Sequence, residues 1–74
     1  MSRMKYIMLE HGPVIFSEAY VHSEMAQGRR VLSAGFVNIN EEGKFYAYGE
    51  SISLDIKSDP RDSDLINKEF HSEW

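Results

Sequence analysis

The residues best suited to acid–base or metal chemistry lie in the segment His22-Ser23-Glu24, with His11 a short way upstream. His22 could act as a general base or a metal ligand, with Glu24 or His11 completing the site. On a helix, however, only residues three or four apart share a face, so His22 and Glu24 point in different directions. A zinc site also needs three or four ligands, and the chain has no cysteine to supply one. We therefore expect a structural, hydrogen-bonding His22, and we predict no metal site and no cofactor.

The serines and glycines are not spaced for nucleophilic catalysis or phosphate binding. Ser33, Ser51 and Ser53 alternate along predicted strands, and none lies in a Gly-x-Ser-x-Gly turn. The glycines lie too far apart to form a phosphate-binding loop. We therefore predict that the chain is not an enzyme.

Aromatic side chains supply the candidate interaction residues. Tyr46 and Tyr48, with Phe36 across the predicted strand pair, lie on one face of the sheet, where such rings can stack on bases or anchor a protein interface. We expect the final helix to cover this face through Phe70 and Trp74. The alternative is that the helix covers the opposite face, which leaves the tyrosines exposed for a partner or a second copy.

These aromatic residues depend on a β-hairpin predicted over residues 31 to 56. Asn40-Glu41-Glu42-Gly43 has the composition of a type I turn closed by a left-handed glycine. That turn sets the register, and the predicted pairs are Asn40–Lys44, Ile39–Phe45, Val37–Ala47 and Gly35–Gly49. Val37, Ile39, Phe45 and Ala47 then share the face opposite the tyrosines.

Beyond the glycines, the apolar pattern changes parity, because Ile52, Leu54 and Ile56 are in register with the tyrosines. A change of parity requires a bend, a bulge or a sheet covered on both faces. We place the bend at Gly35 and Gly49.

The remaining elements are two strands and two helices. Lys5–Glu10 and Val14–Phe16 are predicted strands, the second at an edge because it follows Pro13. A short helix is predicted within Ser17–Gln27 and ends at Gly28. Asp59-Pro60 is typical of a helix start, and the predicted buried stripe of the last helix is Leu65, Ile66, Phe70 and Trp74.

The predicted fold class is α+β, with the order ββαββα. Its architecture is a mostly antiparallel four-stranded sheet with two short helices on one face. A chain of 74 residues predicts one domain, with an ordered core over about residues 4 to 70.

Composition disfavours several classes of partner. The net charge is −4, with 12 acidic against 8 basic residues, and Arg29-Arg30 is the only adjacent basic pair, which disfavours nucleic acid. No apolar run approaches the roughly 20 residues that span a bilayer, so no membrane partner is expected. With no cysteine and no apolar leader, the expected location is the cytoplasm.

Four short motifs give the chain a resemblance to a group of small bacterial and prophage-encoded proteins. They are His22-Ser-Glu-Met-Ala26, Ser33-Ala-Gly-Phe-Val37, Gly49-Glu-Ser-Ile-Ser-Leu54 and Ser58-Asp-Pro-Arg-Asp62. The resemblance spans residues 5 to 70. It implies a compact bacterial or phage domain and assigns no activity and no binding residue.

The leading functional hypothesis is a non-enzymatic domain that binds another protein, or a second copy of itself, through a sheet face or an exposed strand edge. One alternative is a phage or mobile-element accessory factor that inhibits a host complex. Another is a small-ligand binder or minimal enzyme built around His22.

Overall fold

The computed structural model describes residues 3–71, which form a four-stranded antiparallel sheet, a two-stranded hairpin and two helices. In chain order the elements are β1 (Met4–Leu9), β2 (Gly12–Ser17), α1 (His22–Ala26), β3 (Ser33–Ile39), β4 (Phe45–Tyr48), β5 (Glu50–Ser51), β6 (Ile56–Lys57) and α2 (Asp62–His71). The spatial order of the sheet is β2-β1-β3-β4, so β2 and β4 are its edges. The predicted α+β class and the edge position of the second strand are therefore confirmed. Neither α1 nor α2, the two helices of residues 3–71, has the length and the apolar character of a membrane span.

The central hairpin has the predicted register between Phe36 and Ile39, but the predicted pair Gly35–Gly49 is not formed, because β4 ends at Tyr48. Val37 pairs with Ala47 and Ile39 with Phe45, and the Asn40 N–H donates to the Lys44 carbonyl at 2.9 Å. Asn40 also accepts hydrogen bonds from two backbone N–H groups of the turn through its side chain. Gly43 has a φ of +79°, the left-handed conformation that this turn requires.

The predicted bend at the two glycines is present as well. A Cβ atom at Gly35 would lie 2.5 Å from the Tyr48 carbonyl oxygen, so only glycine allows the two strands to approach this closely. Gly49 has a φ of +76° and ends β4.

The prediction that the second strand of the central hairpin continues to Ile56 is wrong. Residues 52–55 form the turn between β5 and β6, in which the Ser51 hydroxyl accepts a hydrogen bond from the Leu54 N–H. Ile52 lies at this turn and is 91% exposed. The alternation that suggested a strand belongs instead to a short hairpin that reverses the chain.

The core has two layers, one on each face of the sheet. On one face, Tyr6, Met8 and Val37 pack against Ile66 of α2. On the other face, a second cluster includes Ala26 of α1, and its strand residues are Ile7, Leu9, Phe16 and Ala34. The prediction of two helices on one face is therefore wrong. Both faces of β1 are apolar, and each of them is covered by its own helix.

Helix α2 begins at Asp62, two residues after the predicted first helical residue Pro60, and it buries less of its predicted stripe. The Asp59 side chain accepts the Arg61 N–H at 2.9 Å and so holds the turn that leads into the helix. Ile66 is fully buried, whereas Leu65 and Phe70 are exposed. Trp74 lies outside the described residues.

The expectation that α2 covers the face of the sheet that carries Tyr46 and Tyr48, with Phe70 in contact, is wrong. Phe70 contacts Phe45, 5.9 Å away between ring centroids, and Phe45 belongs to the face opposite the tyrosines. The α2 face is therefore the face that carries Val37 and Phe45.

Helix α1 is a single turn that begins at His22, later than Ser17. The Glu24 carboxylate accepts the Val21 N–H and so caps the helix start. Gln27 and Gly28 both have positive φ angles and end the helix, in agreement with the predicted stop.

Candidate functional site

The three predicted aromatic candidates form one row on the face of the sheet that carries α1. Phe36 of β3 and Tyr48 of β4 are directly paired and stacked, with 5.9 Å between ring centroids. Tyr46 stacks on Tyr48 at 5.5 Å and is 40% exposed. His22 of α1 packs against Phe36, whereas Phe36 and Tyr48 are only half-buried, so the row stays reachable from solvent.

Cationic side chains flank this aromatic row. The Arg3 guanidinium carbon lies 4.9 Å from the centroid of the Phe36 ring, a cation–π contact. Lys5 is directly opposite Phe36 in the sheet register, so its side chain leaves the sheet on the same face. We call these five residues, Arg3, Lys5, Phe36, Tyr46 and Tyr48, the aromatic face.

A groove of about 550 Å³ continues the aromatic face toward α1 and the β5–β6 turn. Lys5 and Phe36 belong to both surfaces, and the exposed side chains of Val21 and Ile52 form its apolar rim. Its remaining lining residues are His22, Gly49, Glu50 and Ser53. The Ser23 N–H donates to the Ser53 hydroxyl at 3.4 Å, which links the two walls of the groove.

His22 forms part of the groove wall, and the residue is 4% exposed. Its Nε2 lies 2.8 Å from the Gly35 carbonyl oxygen, and its ring packs edge-on against Phe16 and Phe36. Burial lowers the pKa of His22, nearby Lys5 lowers it further, and the Gly35 carbonyl acts in the opposite direction. A carbonyl can only accept, so the neutral ring carries its proton on Nε2. This geometry gives His22 the hydrogen-bonding role that the sequence favoured.

The other candidates around His22 do not converge on it. His11 is exposed on the turn between β1 and β2, and the Glu24 carboxylate is used as a helix cap. Within residues 3–71, no group of three or more His, Cys, Asp or Glu side chains is placed to hold a metal ion.

A buried carboxylate is the main polar feature that sequence reasoning missed. Asp62 is 2% exposed, and its Oδ2 accepts hydrogen bonds from the Tyr6 hydroxyl, the Ser33 hydroxyl and the Asp59 N–H. Burial raises the pKa of Tyr6, and the bond to Asp62 and its negative charge raise it further. The spacing Asp59-x-x-Asp62 was the available signal, since acidic residues three apart before a helix resemble a capping box, in which the second side chain bonds back to the first residue's N–H. The Asp62 carboxylate is enclosed by the core, and its hydrogen bonds to Tyr6 and Ser33 join α2 to β1 and β3.

No protein-family model, no curated protein and no solved structure matches the chain. The resemblance to small bacterial and prophage-encoded proteins therefore stays a prediction.

Proposed function

We propose that the chain is a non-enzymatic protein-interaction domain whose aromatic face and groove bind an extended segment of a partner protein. The observation that carries this proposal is the continuity of the two surfaces, which share Lys5 and Phe36. Stacked aromatic rings beside a groove with an apolar rim are typical of interface anchors.

The size of the groove supports a peptide partner. A volume of about 550 Å³ accommodates one or two large side chains. The most exposed apolar side chain of the described residues, Ile52, lies at the rim, and burying it would stabilise a complex. The row from Phe36 to Tyr46 then provides a rigid surface for the flanking residues of the segment.

The charge of the aromatic face favours an acidic segment. The chain as a whole carries −4, yet Arg3, just before β1, and Lys5, in β1, both lie beside the aromatic row. Glu18, 3.8 Å from Arg3, is an exposed ion-pair partner that a carboxylate of the bound segment can replace. Electrostatic complementarity of this kind selects partners and orients them.

The test is selection of peptides from a random 12-residue library on the immobilised chain, followed by NMR mapping of the selected sequences. We expect peptides that combine an apolar anchor with acidic residues and that shift the amide signals of Phe36, Tyr48 and Ile52. Ile52→Ser should weaken their binding by about tenfold, because truncation of an interface anchor costs more than about 1 kcal/mol. The thermal midpoint should not change, since Ile52 is outside the core.

The matched control is Leu65→Ser, which removes an exposed leucine from helix α2, on the opposite face of the sheet, and should leave affinity unchanged. Selected peptides that map to another surface, or that bind Ile52→Ser as tightly as the wild type, would overturn the proposal.

A further inference from the structure

The two edges of the sheet differ in whether their outward backbone groups are bonded. At the β4 edge, Asn67 accepts the Phe45 N–H at 2.8 Å and donates to the Phe45 carbonyl at 2.7 Å. Ser63 accepts the Ala47 N–H at 2.8 Å. Two side chains of α2 therefore occupy the places that an added strand would take, and this edge is closed.

At the opposite edge, the register shows which groups of β2 face outward. Pro13 has no N–H, so the pair Met8–Pro13 cannot exchange two hydrogen bonds. Bonded and non-bonded pairs alternate along an antiparallel ladder, so the bonded partners in β2 are Gly12, Val14 and Phe16. The backbone groups of Pro13, Ile15 and Ser17 therefore point away from β1.

Most of the outward backbone groups of β2 are available for hydrogen bonding. The register turns the Ile15 N–H and carbonyl, the Ser17 N–H and the Pro13 carbonyl outward, and within residues 3–71 no turn, loop or side-chain hydrogen bond reaches them. The Ser17 carbonyl already accepts the Tyr20 N–H at 3.1 Å. The edge thus offers two donors and two acceptors.

We propose that two copies of the chain pair through β2, antiparallel about a two-fold axis at Ile15, and join their sheets into one of eight strands. In this register Ile15 faces the partner's Ile15 and exchanges two hydrogen bonds with it. The Ser17 N–H meets the partner's Pro13 carbonyl on each side of the axis, which gives two more. Pro13 has no N–H, and the group opposite it is the Ser17 carbonyl of the second copy, which already accepts the Tyr20 N–H of its own chain. Every outward backbone group is therefore satisfied.

The side chains of β2 suit this pairing. Residues 12–17 include no charged residue, whereas exposed edge strands are commonly protected by charge. Val14 and Ile15 are both half-buried in the single chain, so each retains surface that a second strand would cover. Across the axis, Val14 lies opposite the partner's Phe16, an aromatic and β-branched pair that stabilises antiparallel strands.

Sedimentation equilibrium of the full chain, from about 10 µM to about 1 mM, tests the pairing, because a dimer is populated by mass action. We expect a mass of twice 8.6 kDa at the upper concentration. Ser17→Pro removes one donor from each copy and should give a monomer. Ser17→Ala is the matched control: it removes the same hydroxyl, keeps the N–H, and should remain dimeric.

Amide exchange measured by NMR keeps the test decisive if Ser17→Pro fails to fold. In the wild type, the Ile15 and Ser17 amides should exchange at least about tenfold more slowly at the upper concentration, while other exposed amides do not change. A monomer throughout the range would overturn the proposal. So would a dimer in which these two amides stay unprotected, since it would form through another surface.

Discussion

The hydrogen bonds of one carboxyl oxygen join three elements of the fold. Asp62 sits in the first turn of α2, Tyr6 in β1 and Ser33 in β3, and both hydroxyls donate to the same Oδ2 atom. Within residues 3–71, no buried side-chain polar atom lacks a hydrogen-bond partner. Removing the Asp62 carboxylate would therefore create a new defect, a buried hydroxyl without an acceptor. Such a defect costs more than the loss of an average hydrogen bond.

We predict that Asp62→Ala lowers the free energy of unfolding by about 3 kcal/mol, because two buried hydroxyls then lack an acceptor. Tyr6→Phe removes one donor and leaves Asp62 with Ser33 and the Asp59 N–H, so its cost should be about 1 kcal/mol. Urea denaturation followed by circular dichroism measures both values.

Asp64→Ala is the control, since Asp64 is an exposed carboxylate of the same helix. If Asp62→Ala costs no more than this control, Asp62 does not join the three elements in the way described.

At the scale of elements, α2 contributes to the sheet as well as to the core. The Asn67 amide bonds both backbone groups of Phe45, as a residue of a fifth strand would do. The Ser63 hydroxyl does the same for the Ala47 N–H. An edge strand covered in this way is protected from pairing with other chains.

Asn67→Ala should therefore have two effects. The free energy of unfolding should fall by about 1–2 kcal/mol, because two partly buried backbone groups lose their partners. The variant should also aggregate faster on mild heating, because the edge of β4 is opened. Urea denaturation and light scattering measure the two effects.

Lys68→Ala, an exposed change on the same helix, should alter neither property. A loss of stability without faster aggregation would show that Asn67 only supports the helix and does not protect the edge.

Local signals were sufficient to predict the turn of the central hairpin and, to within two residues, the start of the last helix. The turn Asn40–Gly43 sets the register of its own strands, so the pairing of Val37 with Ala47 follows from residues a few positions away. Asp59-Pro60 marks the turn that precedes α2 in the same local way. The tertiary placement of the helices was not accessible in this way, because β1 is apolar on both faces and its sequence does not say which helix covers which face.

Only part of the candidate site followed from the same signals. The alternation of β3 and β4 places Phe36, Tyr46 and Tyr48 together, and the structure agrees. The groove was not predictable, since it depends on a turn at Ile52 where the alternation suggested a strand. The role of Asp62 was missed because Tyr6 and Ser33 are far from it in the chain.

At the scale of the whole molecule, two buried titratable groups set opposite limits on the pH range of stability. His22 lies on the α1 face and has a lowered pKa, whereas Tyr6 lies on the α2 face and has a raised one. Each group is neutral in the folded state, and each ionises more readily in the unfolded chain. Unfolding is therefore linked to proton uptake at acid pH and to proton release at alkaline pH.

We predict a plateau of stability between about pH 6.5 and about pH 10, the ordinary pKa values of histidine and tyrosine. Below the plateau the unfolded chain binds a proton at His22 that the fold excludes, so stability falls as pH decreases toward the lowered pKa. Above it the unfolded chain loses a proton at Tyr6 that the fold retains, so stability falls as pH rises. The lowered pKa of Asp59, caused by its bonds to Arg61, acts only below about pH 4 and is separable from the effect of His22.

Thermal midpoints measured across this range should show that His22→Gln flattens the acid side of the profile and that Tyr6→Phe flattens the alkaline side. His11→Gln and Tyr20→Phe, at two exposed positions, should leave both sides unchanged, and a wild-type slope that persists in either core variant would assign that side of the profile to other groups.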